Sequence, residues 1–375
     1  MIQAISLPHE QSMFQSNTTR PSFAWWYVDV LDHQGTGCVC IFSQGLPFLP
    51  ETQNDRAERF SVNCVIYNQG KEVFYLLQEF DRSEVVQEKV IDEDTDTVVE
   101  LWTIGSHRFQ RTIDQQGTVT CSIQLQSSHQ RTEGHFVTGR IEFEGQLVDS
   151  IPTVGHHAHV DSPHQWTPVT TQCMASVDLE TSVQNYRFTG TAYHDSNIST
   201  EPLHRLGISH WWWARASLVD TTWIVYLVYP ENKQNPVWMV ASVKPNGSWQ
   251  FHTVESVEIE GVKRSIYGLS LPVRWNLYLA NGDCLRLDVQ DWLDDSPFYQ
   301  RVLVQLQYQQ TQQPVQQGLG YLEHVVPTKL NVPWQQAFIR MKTHFAERQG
   351  SFFSPLFTGS STTRWSRQLS QCLPL

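Results

Sequence analysis

Charge, helix-forming pattern and long apolar runs are all scarce in this chain of 375 residues. No apolar run approaches the roughly 18 residues a membrane-spanning helix needs. The first twenty residues are polar and lack the apolar core of a secretory leader, so no export signal is expected. Charged residues make up 17% of the chain and leave a net charge of -12. Lys and Arg are scattered, and no basic stripe forms. That excludes nucleic acid as an expected partner and a polybasic segment as a membrane anchor. No CxxC pair occurs among the seven cysteines (38, 40, 64, 121, 173, 284 and 372). An odd number without paired spacing reads as reduced structural thiols in a cytoplasmic protein. Phosphate-binding loops, GxGxxG, GxSxG and zincin patterns are missing too, which argues against redox and ATP-dependent chemistry.

What is present is hydrophobic and aromatic. Hydrophobic residues make up 40% of the chain, with 14 Trp. That composition builds a sizeable core, and the length suggests two domains of roughly 150 residues each. Tryptophan in such numbers packs sheet cores and lines apolar clefts. Period-2 alternation dominates. Seven strands are predicted between Trp25 and Gln126, separated by turn signals such as Asn68-Gln69-Gly70. Nine more are predicted between Ala175 and Gln309, with Asn246-Gly247 and Asn281-Gly282 as hairpin turns. A break near residues 145–170 separates the two series and suggests two antiparallel β-barrel-like units. A Pro-started amphipathic helix is predicted near 333–348. The Ser- and Thr-rich tail after it is expected to be extended, with Phe352 and Phe353 docking.

The chemistry concentrates at Tyr193-His194-Asp195-Ser196-Asn197, followed by His210-Trp211-Trp212-Trp213-Ala214-Arg215. Asp-Ser-Asn alone is good turn chemistry. Beside Tyr193 in an apolar pocket, however, the Asp195 carboxyl would have a raised pKa and act as a general acid at neutral pH. Asn197 would fix its orientation. On a strand, Trp211, Trp213 and Arg215 share one face, where Arg215 would meet a carboxylate. Core packing accounts for at least one of the three tryptophans. His164 and Trp166 also share a face, which suits acid–base work beside a cation-stabilising ring. His156-His157-Ala158-His159 fits no standard zinc spacing, and no metal is expected. Trp25-Trp26-Tyr27 would line a cleft or open a core strand.

These elements together resemble the carotenoid 1,2-hydratase family, also called hydroxyneurosporene synthases. The resemblance starts at Trp26-Tyr27-Val28-Asp29 and resumes at Pro163-His164-Gln165-Trp166-Thr167-Pro168. It is densest from Gly190 to Ala216, and continues through Ser296-Pro297-Phe298-Tyr299 and Gly318-Leu319-Gly320-Tyr321-Leu322-Glu323. The chain departs from the family pattern at Asn197-Ile198-Ser199, where Asn-Trp-Gly is usual. It also has Trp211-Trp212-Trp213 where Trp-Asp-Trp is frequent. The resemblance implies an all-β fold of two consecutive lipocalin-like antiparallel β-barrels with a pocket near their junction. The expected divisions are an arm at 1–20, barrels at 21–165 and 166–349, the second carrying the helix near 333–348, and a tail at 350–375.

The resemblance also implies cofactor-free addition of water to a terminal isoprenoid double bond, with His164, Trp166, Tyr193 and Asp195 at the important positions. The expected roles are Asp195 as proton donor, Tyr193 orienting it, His164 positioning water or taking the proton back, and Trp166 with the triplet stabilising a tertiary cation. Asn197, Trp211, Trp213, Arg215 and Trp26 are expected to contact a hydrophobic isoprenoid or polyene. A soluble, cytoplasmic protein would collect such a substrate from a carrier or by transient contact with a membrane surface. Two alternatives stand beside hydration. Lipocalin-like relatives include cyclases and Diels–Alderases that fold a polyene, and other lipocalins only bind apolar ligands.

Overall fold

In the computed structural model, β2 (Phe23–Leu31) is buried along its whole length, on both faces. Its even-numbered residues Ala24, Trp26, Val28 and Val30 enter one core, while Phe23, Trp25, Tyr27 and Leu31 enter another. Successive strand side chains point to opposite faces, so only a strand sandwiched between two layers reads this way. The structure describes residues 2–4, 22–45, 47–48, 59–127, 134–149, 164–232, 235–311, 313–332 and 344–345.

The first sheet begins with β1 (Ile2–Ala4) and β2, and continues through β3 (Gly37–Gln44), β4 (Arg59–Asn68), β5 (Lys71–Asp81) and β6 (Val85–Asp92). It goes on through β7 (Thr97–Ile104), β8 (His107–Ile113), β9 (Thr118–Gln126), β10 (Val137–Gln146), β11 (His164–Thr181) and β12 (Asn185–Ser199). The second sheet contains β13 (Ile208–Ser217), β14 (Thr222–Pro230), β15 (Val237–Val243), β16 (Trp249–His252) and β17 (Val254–Arg264). Its remaining strands are β18 (Ser270–Leu279), β19 (Cys284–Asp295), β20 (Tyr299–Gln309) and β21 (Gln316–Val325). A two-residue strand, β22 (His344–Phe345), joins the first sheet beside β5.

Hydrogen bonding runs β5-β4-β3-β2-β12-β11-β10-β9-β8-β7-β6 in the first sheet and β16-β15-β14-β13-β21-β20-β19-β18-β17 in the second. In each, the strands at the two ends are consecutive in the chain, apart from the added β22. Each sheet curls around its own core. One holds Trp26, Phe42, Phe60, Trp102 and Phe109, and the other holds Trp212, Trp223, Trp275 and Leu306. A third core lies between the sheets and draws from both, with Trp25, Tyr27, Trp166 and Tyr193 on one side and Trp211, Trp213, Tyr226 and Tyr321 on the other. The fold is all-β and barrel-like in both halves, as expected.

Several expectations change. The sheets divide after Ser199, because β11 and β12 fill the gap between β10 and β2 in the first sheet. The division expected at 165/166 therefore falls at the start of β11, inside the first sheet. Most of the helix expected near 333–348 lies outside the described residues, and its two described residues, His344 and Phe345, form β22 in parallel with Leu77 and Gln78. No α-helix occurs among the described residues. Besides the short β1 and β22, four strands escaped the alternation pattern: β6, β10, β17 and β21. On β6 and β17 most residues are exposed, so burial imposes little alternation. In β21, Gly318 and Gly320 interrupt the pattern. A Cβ on Gly320 would collide with the Arg215 carbonyl oxygen of β13, so close strand approach requires glycine here. The six described cysteines are unpaired. The tail, Cys372, Phe352, Phe353 and the His156–His159 run lie outside the described residues.

Candidate active site

The third core contains a buried carboxyl group held by three donors. Tyr193, Asp195 and Asn197 alternate along β12 and so share its face toward the second sheet. Trp166 pairs in register with Asn197 on the neighbouring β11, which brings it to the same face. Trp166 Nε1 donates to Asp195 Oδ2 at 2.7 Å, and Tyr193 Oη donates to the same oxygen at 2.8 Å. Asn197 Nδ2 donates to Oδ1 at 3.1 Å. His164 Nε2 lies 2.9 Å from Asn197 Oδ1, so this amide bridges the imidazole and the acid. All five side chains are buried.

Electrostatics follow from that burial. Removal from water pushes the Asp195 carboxyl up to about 8. The Trp166 and Tyr193 hydrogen bonds pull it down, and the nearby charges of Glu323 and Asp29 push it up. Desolvation outweighs the donors because the charged form loses more hydration than those bonds return. The protonated form is therefore favoured at pH 7. Burial holds the His164 imidazole neutral, down at about 4, against the opposing bond to Asn197.

Aromatic rings crowd this face. Tyr193 lies 5.3 Å from Trp213 and 6.2 Å from Tyr27, and Trp166 meets the edge of Tyr226 at 5.7 Å. Trp211 approaches His164 at 6.4 Å. Tyr27 is the register partner of Asp195 on β2 and carries its hydroxyl to Glu323 of β21, 3.3 Å away. Arg215 reaches back from the second sheet to form an ion pair with Asp29, the register partner of Tyr193.

Trp211, Trp213 and Arg215 therefore lie on the side of β13 that faces Asp195. Trp26 does not. It points into the first barrel, stacking on Trp102 at 5.0 Å with the Arg111 guanidinium 4.3 Å over its ring. The even–odd parity of β2 separates it from the acid, so the expected substrate contact at Trp26 is corrected. Trp212 likewise points into the second barrel, against Trp275 and His324. The carboxylate missing at that position would have faced that core, not Asp195.

Sequence reasoning gave no roles to Tyr226, Arg301 or Glu323, and left Tyr27 and Asp29 between a cleft lining and an opening core strand. Alternation from Trp25 places Tyr27 and Asp29 on one face, but nothing local says which sheet they meet. A cavity of about 360 Å³ opens at the end of the second barrel, lined by Trp223, Trp249, His252 and Tyr308 among others. Asp195 does not line it; Trp249 does, and its edge meets Trp166 at 6.5 Å. Among the described residues, no three of His, Cys, Asp and Glu come together as a metal site.

A sequence profile of the carotenoid hydratase CrtC family matches residues 61–320. The chain belongs to the carotenoid hydratase CrtC family. A member of the curated proteins, hydroxyneurosporene dehydrogenase of Chlorobaculum tepidum, is 23% identical over 363 residues, covering 88% of this chain and 90% of its own. Among solved structures, CghA with Sch210972 superposes with a TM-score of 0.58 at 13% identity, over 81% of this chain and 88% of CghA. A putative AttH from Nitrosomonas europaea gives 0.57 at 16% identity, over 86% and 97%. These two share the fold of this CrtC-family chain. The family match runs from β4 to β21, so it spans both sheets and includes every residue that touches the Asp195 carboxyl.

Proposed function

We propose that the protein adds water to an isoprenoid double bond of an acyclic carotenoid or similar polyene, without a cofactor, and that Asp195 donates the first proton. The observation that carries this reading is the Asp195 carboxyl, buried among aromatic rings at the junction of the two sheets, where desolvation favours its protonated form. Membership of the carotenoid hydratase family supplies the substrate class.

The carboxyl is a strong enough acid only where the cation it creates is sheltered. Proton transfer from Asp195 to the less substituted alkene carbon leaves a tertiary cation. Trp213, Tyr193 and Trp166 present π-faces or edges around the acid, and a cation over an indole gains about 2 kcal/mol or more when desolvated. The same donors that hold Asp195 steady its carboxylate once the proton has left. Tyr193 and Trp166 thereby orient the acid and limit how far burial raises its pKa. Neutral His164 fixes Asn197, which fixes Oδ1. Water capture then gives a tertiary alcohol.

The test is incubation of the purified protein with an acyclic carotenoid bearing a terminal trisubstituted double bond. A product heavier by one water is expected, and Asp195→Asn should abolish it while binding persists. An unchanged mass in a new product would instead indicate cyclisation, and recovery of bound, unaltered polyene would indicate a carrier.

A further inference from the structure

We propose that Glu323 is the base that takes the proton from the attacking water, a second carboxyl group placed opposite Asp195 across the sheet junction. This rests on the hydration reading above. Hydration needs two proton transfers in opposite directions, and the acid alone accounts for the first. Asp195 lies in register with Tyr27, whose hydroxyl donates to Glu323 Oε1 at 3.3 Å. Arg301 donates to the same oxygen through Nε at 3.1 Å and Nη2 at 2.6 Å. Three donors thus converge on Oε1. Oε2 accepts no hydrogen bond among the described residues.

Glu323 is also the most open of the charged groups in this layer. Its side chain keeps 15% of its surface accessible, against 4% for Arg301, 1% for Arg215 and 0% for Asp29. Trp213 is its register partner, and the Trp213 indole N–H and the Tyr299 hydroxyl are buried with no partner among the described residues. Unpartnered donors near a carboxylate whose side chain is partly accessible suit a bound water, which needs two to four polar partners. The Glu323 carboxylate is held by Arg301 through Oε1, which leaves Oε2 to accept. Its charge reaches Asp195, whose carboxyl it helps to hold protonated. His164 is less suited to this step, being a weak base tied to Asn197.

The step balances as follows. The Asp195 O–H bond breaks and a C–H bond forms with the alkene π pair, leaving the cation. A lone pair of water forms the C–O bond, the water O–H bond breaks, and that proton passes to Glu323 Oε2. After the alcohol leaves, exchange with solvent returns a proton to Asp195 and removes one from Glu323.

The experiment separates the two transfers in deuterated water with the same carotenoid. Reversible protonation by Asp195 places deuterium in recovered alkene, whereas alcohol formation requires the base. Glu323→Gln should lower alcohol formation at least 100-fold while deuterium exchange stays within about threefold of the parent. Because Arg301 would lose its carboxylate partner and keep only the Tyr67 hydroxyl, the double variant Glu323→Gln with Arg301→Gln is measured in parallel and should show the same split. Alcohol formation within threefold of the parent in either folded variant would overturn the proposal, with Asp195 then recycling its own proton. Loss of both exchange and hydration in folded protein would overturn it too, making Glu323 a support for the acid. Absence of exchange and hydration in the parent protein would instead refute the hydration reading itself.

Discussion

Asp29 of the first sheet and Arg215 of the second form an ion pair in which both side chains are almost wholly buried. Burial pushes the Asp29 carboxyl up and the guanidinium pulls it back. The pair ties β2 to β13 immediately beside Tyr193, so it sets the spacing of the two faces that meet at the acid. Breaking such a pair from one side costs about 3–5 kcal/mol, because a buried charge is stranded. Asp29→Leu and Arg215→Met should each destabilise the protein by about that much. Asp29→Leu combined with Arg215→Met should recover most of the loss. Denaturant unfolding of the four proteins measures the coupling, and additive losses would mean the pair is not a unit.

Proton donation by Asp195 predicts a pH profile. The active form is the protonated one, which is lost as pH rises through about 8. kcat/KM should be level below that pH and fall tenfold per unit above it. Tyr193→Phe removes a donor that favours the ionised form, so the alkaline limb should move up, by about one unit for a hydrogen bond to a charged group. A limb that stays in place or moves down would remove Tyr193 from the acid's control.

Trp212 and Trp213 are neighbours with opposite fates. Each is buried, so each change to Leu should destabilise, by less than the roughly 3–5 kcal/mol of truncation to Ala. Only Trp213 faces Tyr193 and Tyr27. Trp213→Leu should lose at least tenfold in kcat, the equivalent of about 1.4 kcal/mol of cation stabilisation. Trp212→Leu should stay within about threefold. Equal losses of rate would show that the ring at 213 acts only through packing.

Four buried histidines make the fold acid-sensitive. Burial lowers His107 and His164 to about 4, and His194 and His324 to about 3. Between pH 6.5 and 4 the unfolded chain binds protons at these sites that the folded chain refuses, so stability falls as pH falls. Asp29, Asp195 and Asp295 are raised, and so run the other way. Their contribution is present below about pH 4 and lost as pH rises through their folded pKa values. With the lowered His210 and His252, six imidazoles outnumber the three raised carboxyls, and the melting temperature should drop steadily between pH 6.5 and 4. A flat melting curve over that range would contradict the neutral, buried state of these imidazoles.

The sequence by itself determined the strand class, the hairpin turns and the local grouping of Tyr193, Asp195 and Asn197, because alternation and turn chemistry act over a few residues. It also placed His164 with Trp166, since an i, i+2 pair shares a face on any strand. The CrtC resemblance was legible in spaced motifs that run from β2 to β21. What the sequence did not carry was the meaning of parity. Trp26 and Trp212 each sit one residue from a site-facing aromatic, and local pattern does not say which face of a doubly buried strand meets which core. The sheet boundary after Ser199, the Asp29–Arg215 tie and the approach of Glu323 to Tyr27 join residues far apart in the chain. Those contacts exist only once β12 pairs with β2 and the two sheets pack face to face, and so the tertiary structure alone decided them.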